Sequence, residues 1–245
     1  MRGILLAAWL WAAAAPYAAA WDSPVPDVVL YCTPAMEAAL RDVAAHYTAR
    51  SGVEVHVFVA PPDGLIGLIK HRARDDVVVG DTSTLQSLLA GGFLRAGSLV
   101  GLGQDRYVLV ASRRAGVPAD STAAQLLASR TTVLPDPTTA ASFDGRAILH
   151  AADPSASQAA VIGVADTRTV IETVEADRHL LGLLNATEVG ASGLVKAATL
   201  QAPAESISGA LVTNGQSAKS GDLLAFITGP EGQAALHSAG LEPQS

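Results

Sequence analysis

Short, unbroken apolar runs separated by stretches of helical periodicity constrain this chain more than any other feature. Val28-Val29-Leu30-Tyr31 is apolar at consecutive positions, as a strand is when both faces of its sheet are covered. Met36, Ala39, Leu40, Val43, Ala44 and Tyr47 then recur at helical spacing up to Ser51-Gly52, where glycine ends the helix. A second strand is expected over 53–59, broken by Pro61-Pro62-Asp63-Gly64, a turn-forming cluster. Leu65, Leu68 and Ile69 resume a helix, and Val77-Val78-Val79 is another buried strand. Leu85, Leu88 and Leu89 mark a helix closed by Gly91-Gly92, and a strand follows from Tyr107 to Ala111. Such a succession calls for an α/β fold, a mainly parallel sheet flanked by helices.

The second half repeats the theme. Strands are expected over 131–134, 161–164, 180–184, 194–200 and 207–212, and helices over 140–151, 169–176, 221–228 and 230–238. Two lobes joined by a hinge follow, with crossovers near 112–120 and 200–210. On this reading lobe 1 comprises 21–112 with a return of 206–245, and lobe 2 comprises 113–205.

Ahead of the first strand stand Arg2, an apolar run from Ile4 to Ala15, and Ala18-Ala19-Ala20. The run is too short for a permanent membrane span, and small residues before a cleavage point mark an export signal. Residues 1–20 are therefore expected to be removed before Trp21; an uncleaved N-terminal anchor is the alternative. Their removal takes away one basic residue and no acid, so the 16 basic and 23 acidic residues of the whole chain become 15 and 23, a net charge of −8. That balance, with Arg113-Arg114 as the only basic pair, argues against a nucleic-acid partner. The single cysteine, Cys32, has no partner for an internal disulfide and reads as a small buried apolar residue.

Catalytic signatures are missing. His46, His56, His71, His150, His179 and His237 stand singly, without metal-ligand spacing. Gly101-Leu102-Gly103 lacks the third glycine of a dinucleotide fingerprint and reads as a turn. Neither Ser192-Gly193 nor Ser208-Gly209 has the flanking glycines of a nucleophile elbow. No metal site, cofactor or catalytic residue is expected; a secreted α/β hydrolase would need a nucleophile paired with one of the histidines.

The remaining chemistry lies in strand-to-helix turns, since ligands of open α/β sheets bind at the carboxyl ends of strands. The candidate turns are Cys32-Thr33-Pro34-Ala35, Pro61-Pro62-Asp63-Gly64 and Gly80-Asp81-Thr82-Ser83 in the first lobe. In the second they are 136–142, Ala165-Asp166-Thr167 and Asn185-Ala186-Thr187. Each offers free main-chain N–H groups at a helix start, suited to an anion. Taken singly, Thr33, Asp63, Asp81, Thr167 and Thr187 also fit as plain helix caps.

The segment from Val28 to Leu40 with Asp42, Tyr47 and Gly52-Val53-Glu54-Val55 resembles the opening strand, helix and second strand of periplasmic molybdate-binding proteins of ABC transporters. Asp75-Asp76-Val77-Val78-Val79-Gly80-Asp81 is similar to their third strand, Arg106-Tyr107-Val108-Leu109-Val110 to the strand leading into the crossover, and Asp136-Pro137 to the start of the second lobe. Phe226-Ile227-Thr228-Gly229-Pro230-Glu231-Gly232-Gln233-Ala234 is similar to the closing helix pair of many such binding proteins. The resemblance implies two lobes closing by a hinge on one small polar solute, a molybdate-like oxyanion by default, and delivery to a membrane permease by a periplasmic monomer.

The candidate turns and the resemblance together give a ligand set of Thr33, Ala35, Pro62, Asp63, Ser142, Thr167 and Asn185. Family members hold the anion with a serine hydroxyl in each of the first two turns and a tyrosine in the second lobe. Here Ala35 and Pro62 stand at the serine positions and Asn185 at the tyrosine. Pro62 supplies neither hydroxyl nor N–H, while Ala35 keeps its N–H. A carboxylate at Asp63 would repel a dianion by several kcal/mol at about 5 Å and an effective dielectric near 20. Three outcomes stay open: Asp63 caps a helix starting at Leu65 and leaves an anion site of reduced affinity, it pairs with a cationic or hydroxyl-bearing ligand, or the cleft binds nothing and the protein serves another role. An extracellular sensor without transport is a separate alternative to the receptor.

Overall fold

The computed structural model describes residues 27–71, 77–136, 144–155, 159–190, 192–213 and 218–244; Ser142 and the expected export signal lie outside them. The first sheet takes β1 (Val28–Cys32), β2 (Val55–Val59), β3 (Val77–Asp81) and β4 (Val100–Asp105). Helices α1 (Glu37–Ser51), α2 (Pro62–His71) and α3 (Thr82–Ala90) connect them. The second sheet takes β5 (Tyr107–Ser112), β6 (Thr132–Pro135), β7 (Val161–Val164), β8 (Leu181–Asn185) and β9 (Leu194–Thr199). Its helices are α4 (Ala123–Ser129), α5 (Gly145–Ala152), α6 (Thr167–Ala176) and α7 (Ala186–Val189). The chain then returns to the first sheet as β10 (Glu205–Leu211) and ends in α8 (Ala218–Thr228) and α9 (Pro230–Ser238).

The strand orders are β2-β1-β3-β10-β4 and β7-β6-β8-β5-β9. In each sheet the first three strands pair in parallel, while the remaining two pairings are antiparallel. The sheets are thus mixed rather than mainly parallel, because each receives one strand from the other half of the chain: β5 enters the second sheet directly from β4, and β10 enters the first from β9. The first passage falls at Arg106, ahead of 112–120, since Tyr107–Ser112 already pairs with β8 and β9. The second passage occupies 200–204.

Every residue of β1, β5 and β8 is buried, and the two faces of each sheet explain why. Val28, Leu30 and Cys32 pack toward α1, α8 and α9 with Leu40, Val43, Leu223 and Leu236. Val29 and Tyr31 pack on the other face with Leu65, Ile69, Leu85 and Leu88. The second sheet is likewise covered on both sides, by Leu126, Leu127 and Leu149 on one and Val170 and Val174 on the other.

Two local expectations change and a third holds. Gly101-Leu102-Gly103 is no turn; it lies within β4, paired with β10 through a register shift at Ile207/Ser208, and a side chain on Gly103 would strike the Glu242 carbonyl. Helix α2 starts at Pro62, because proline at the first helical position has no N–H to waste and a suitable φ. Gly52 ends α1 as expected, at φ 73°, in the left-handed region that glycine enters without penalty.

Gly182 has a packing role. A Cβ there would sit 2.9 Å from both Val110 Cγ2 and Val170 Cγ1, so its absence lets α6 lie close on the sheet. Gly182→Ala is expected to lower stability by about 1–3 kcal/mol through overpacking, read as a shift of the urea midpoint at unchanged slope. An unaltered midpoint would show that α6 yields freely.

Candidate functional site

The carboxyl ends of the strands in both lobes open toward a shared cleft, yet several of the helix starts there are already occupied. Asp81 caps α3, its Oδ1 accepting the Thr84 N–H at 2.8 Å and the Ser83 hydroxyl at 2.7 Å. Asp166 caps α6 by accepting the Thr169 N–H and hydroxyl, both at 2.8 Å. Asp144 does the same for α5, accepting N–H groups of Arg146 at 3.0 Å and Ala147 at 3.1 Å. These caps put the protein's own negative charge where a helix N-terminus would otherwise attract an anion. The start of α1 differs: Thr33 makes no side-chain cap, and a 3-10 turn, Pro34–Met36, leads into the helix.

Two cavities lie along the cleft. One, of about 480 Å³, is lined by Pro34, Ala35 and Arg41 from the first lobe and by Thr167, Arg168 and Glu188 from the second. The other, of about 610 Å³, lies nearer the hinge between Pro62, Asp81, Thr82 and Ser83 on one side and Tyr107, Pro203 and Glu205 on the other. No histidine lines either cavity, and no group of His, Cys, Asp and Glu among the described residues is arranged to hold a metal ion.

Of the residues singled out from the sequence, Ala35 and Thr167 come together across the first cavity and Pro62 borders the second. Thr33 is buried beneath its turn, at 7 % exposure. Asp63 lies in the first turn of α2, exposed and lining neither cavity; it therefore does not precede a helix that begins at Leu65. Asn185 is fully buried, a layer below both cavity walls. The Asn185-Ala186-Thr187 turn opens α7.

Beneath the cleft lies a group of carboxyls that sequence reasoning missed. Asp105, with no exposed surface, contacts Thr187 twice: its Oδ2 lies 2.5 Å from the Thr187 hydroxyl and its Oδ1 accepts the Thr187 N–H at 3.3 Å. Glu205 stands opposite Asp105 in the ladder, and Asn185 Nδ2 donates to its Oε2 at 3.2 Å. Glu188 Oε2 accepts the Asn185 N–H at 3.1 Å, and Glu188 also hydrogen-bonds the Thr167 side chain. Burial pushes Asp105 up to about 6. Burial first, then neighbouring carboxylates, push Glu188 and Glu205 up to about 7. Hydroxyl, amide and main-chain N–H groups supply the donors that reach the three. Arg106, next in the chain, instead turns outward to Glu242 at 2.5 Å. One of these residues had a legible signal, because Glu188 stands three positions after Asn185 in capping-box spacing.

Residues 28–242 match a family model described as bacterial extracellular solute-binding protein. The chain belongs to that family. No curated protein matches the sequence significantly. Among solved structures, this solute-binding protein is similar to the substrate-binding domain of a putative molybdenum ABC transporter from Clostridium difficile, with a TM-score of 0.74 at 12% identity over 90% of this chain and 100% of that one. It is also similar to the periplasmic molybdate-binding protein of Azotobacter vinelandii, with a TM-score of 0.73 at 14% identity over 89% and 100% of the two chains. A tungstate ABC transporter structure from Geobacter sulfurreducens gives 0.63 at 17% identity over 86% and 97%. The resemblance read along the chain, from Val28 to Ala234, thus agrees with the fold found here, two mixed α/β lobes about a double crossover.

Proposed function

We propose that this protein is the periplasmic receptor subunit of an ABC importer, capturing one small polar solute between its lobes and presenting the closed form to a membrane permease. The observation that carries this reading is the meeting of Ala35 and Thr167, from strand ends of opposite lobes, across one cavity. A cleft between lobes that pivot on two crossover strands sequesters a solute and strengthens its hydrogen bonds by excluding water.

A molybdate-like oxyanion is the first ligand to test, because the similar structures carry molybdate and tungstate in their names. The Ala35 N–H and the Thr167 N–H are the donors proposed for it, joined by the Thr167 hydroxyl when it turns from Glu188 to the ligand. A second reading has its own support: Asp81 and Glu205 line the hinge-side cavity without a basic residue beside them, an environment that suits a ligand bearing hydroxyl or cationic groups. A thermal-shift screen at one pH across molybdate, tungstate, sulfate, small amines and polyols separates the two, since a ligand that binds only the folded state raises its melting point by mass action. Stabilisation by molybdate or tungstate supports the oxyanion reading; stabilisation by amines or polyols alone replaces it with the second. No shift with any solute across a full panel would remove the receptor reading.

A further inference from the structure

We propose that Asp105 carries a proton in the closed form and that its carboxyl group, acting through Thr187, fastens the second lobe to the first. This role rests on the receptor reading and deepens it, because Asp105 becomes the residue that positions the lobes when the cleft closes.

The hydrogens at this contact can be counted. Thr187, on α7 of the second lobe, places its hydroxyl between two groups of the first lobe. The Ala35 carbonyl oxygen lies 2.9 Å away and Asp105 Oδ2 lies 2.5 Å away. A hydroxyl has one hydrogen to donate, and a carbonyl can only accept. If Thr187 donates to Ala35, the short contact with Oδ2 has a hydrogen only when Oδ2 bears it. If Thr187 donates to an ionised Asp105, the Ala35 carbonyl faces an oxygen with no hydrogen between them. Only the protonated carboxyl satisfies both contacts, in the chain Asp105 O–H to Thr187 O–H to Ala35 C=O. Asp105 and Thr187 are buried, at 0 and 1 % exposure, and Ala35 nearly so at 8 %, so an unmet pairing between Asp105 and Thr187 is costly.

Of the surroundings, burial favours this state, while the Thr187 and Ala186 N–H groups and the Asn185 amide, which donate to Asp105, oppose it. From β10, Glu205 stands opposite Asp105 in the ladder, and from α7, Glu188 adds a second carboxyl. From β5, Tyr107 faces Glu205, and from β3, Asp81 adds further negative charge to Glu205. Arg106, the adjacent cation, is engaged with Glu242, and the 3-10 turn of Pro34–Met36 brings a main-chain carbonyl and no charge. Burial then holds Asp105 well above the ordinary carboxylate range, up to about 6. As pH rises through that value the proton leaves, one of the two contacts loses its hydrogen, and closure weakens.

The test is a lobe-to-lobe distance, measured by paired spin labels at Ala45→Cys on α1 and Ala176→Cys on α6, both exposed positions. The native Cys32 is buried, with its thiol pushed up to about 12, and stays unlabelled. In otherwise wild-type protein the closed-to-open ratio is expected to fall about fivefold between pH 5 and pH 8, the worth of one net hydrogen bond. Asp105→Asn carries a permanent N–H donor toward Thr187 and should stay closed at both values. Thr187→Ser keeps the hydroxyl and should titrate as the parent does, whereas Thr187→Val should be open at both. A parent distribution that does not move with pH, or an Asp105→Asn variant that titrates like the parent, overturns the proposal. If Asp105→Asn does not fold, the Thr187 pair decides: a Thr187→Val variant with the parent's pH response overturns it equally. The measurement needs no ligand, so its outcome is independent of the solute screen that tests the receptor reading.

Discussion

The unfolding free energy is expected to decline as pH rises from about 4 to 7, opposite to the usual acid lability of proteins built on salt-bridged carboxylates. Asp105 at about 6 and Glu188 and Glu205 at about 7 all lie above the values they take in an unfolded chain, near 3.9 for Asp and 4.3 for Glu. Between those limits the native state binds more protons than the unfolded state, and stability then falls with pH. The contribution is complete below about pH 4, is lost on passing through 6 and 7, and is flat above. Asp27, Asp153 and Asp166 act with the opposite sign, since hydrogen bonds hold them below the usual range. Their window lies below about pH 4, so it does not overlap. A tenfold change in one group's proton affinity on folding corresponds to about 1.4 kcal/mol, but the three raised groups share one neighbourhood and titrate together. The net loss is on the order of a few kcal/mol. Urea midpoints at pH 4.5, 6 and 8 measure it, and Asp105→Asn or Glu205→Gln should flatten the curve. A midpoint that is constant or climbs over this range would show that the three carboxyls are ionised throughout.

How much of this was legible depended on how local the cause was. The buried strands β1, β3, β5 and β8 announce themselves because covering both faces leaves them apolar up to their last residue, where Asp81, Ser112 and Asn185 close three of them. Strand β4 does not, since Val100 to Asp105 carries two glycines and only Leu102, Gly103 and Asp105 are buried; its pairing with β10 is a tertiary fact. Helix α4 is short, but its capping box of Thr122 and Gln125 was readable from the spacing of those two residues. The turns at the cleft could be found from strand ends alone. Which of them meet could not: Thr187 reaches Ala35 across 152 positions and Asp105 across 82, and both distances are set by the double crossover. The resemblance located the cleft but placed Asn185 in its wall, whereas the smaller side chain at that position sinks beneath it and binds the protein's own carboxyls.

That displacement makes Asn185 the residue with the largest expected cost of substitution. Its Nδ2 donates to Glu205 and its side chain also hydrogen-bonds Asp105, so one amide stands between two carboxyls that face each other across the β4–β10 ladder. Leucine fills nearly the same volume and removes both donations, leaving two buried acids with only each other and their remaining donors. Breaking a buried polar pairing on one side costs about 3–5 kcal/mol when the group left behind is charged, and about 1–3 kcal/mol when it is neutral. Asn185→Leu is therefore expected to be severely destabilising at pH 8, where Glu205 and Asp105 are ionised, and distinctly less so at pH 5, where both hold protons and no buried charge is left behind. The wild-type protein and the variant, unfolded in urea at the two pH values, give the difference directly. A penalty of equal size at both would mean that Asn185 acts through packing alone. A variant of normal stability that fails only to bind solute would return Asn185 to the ligand.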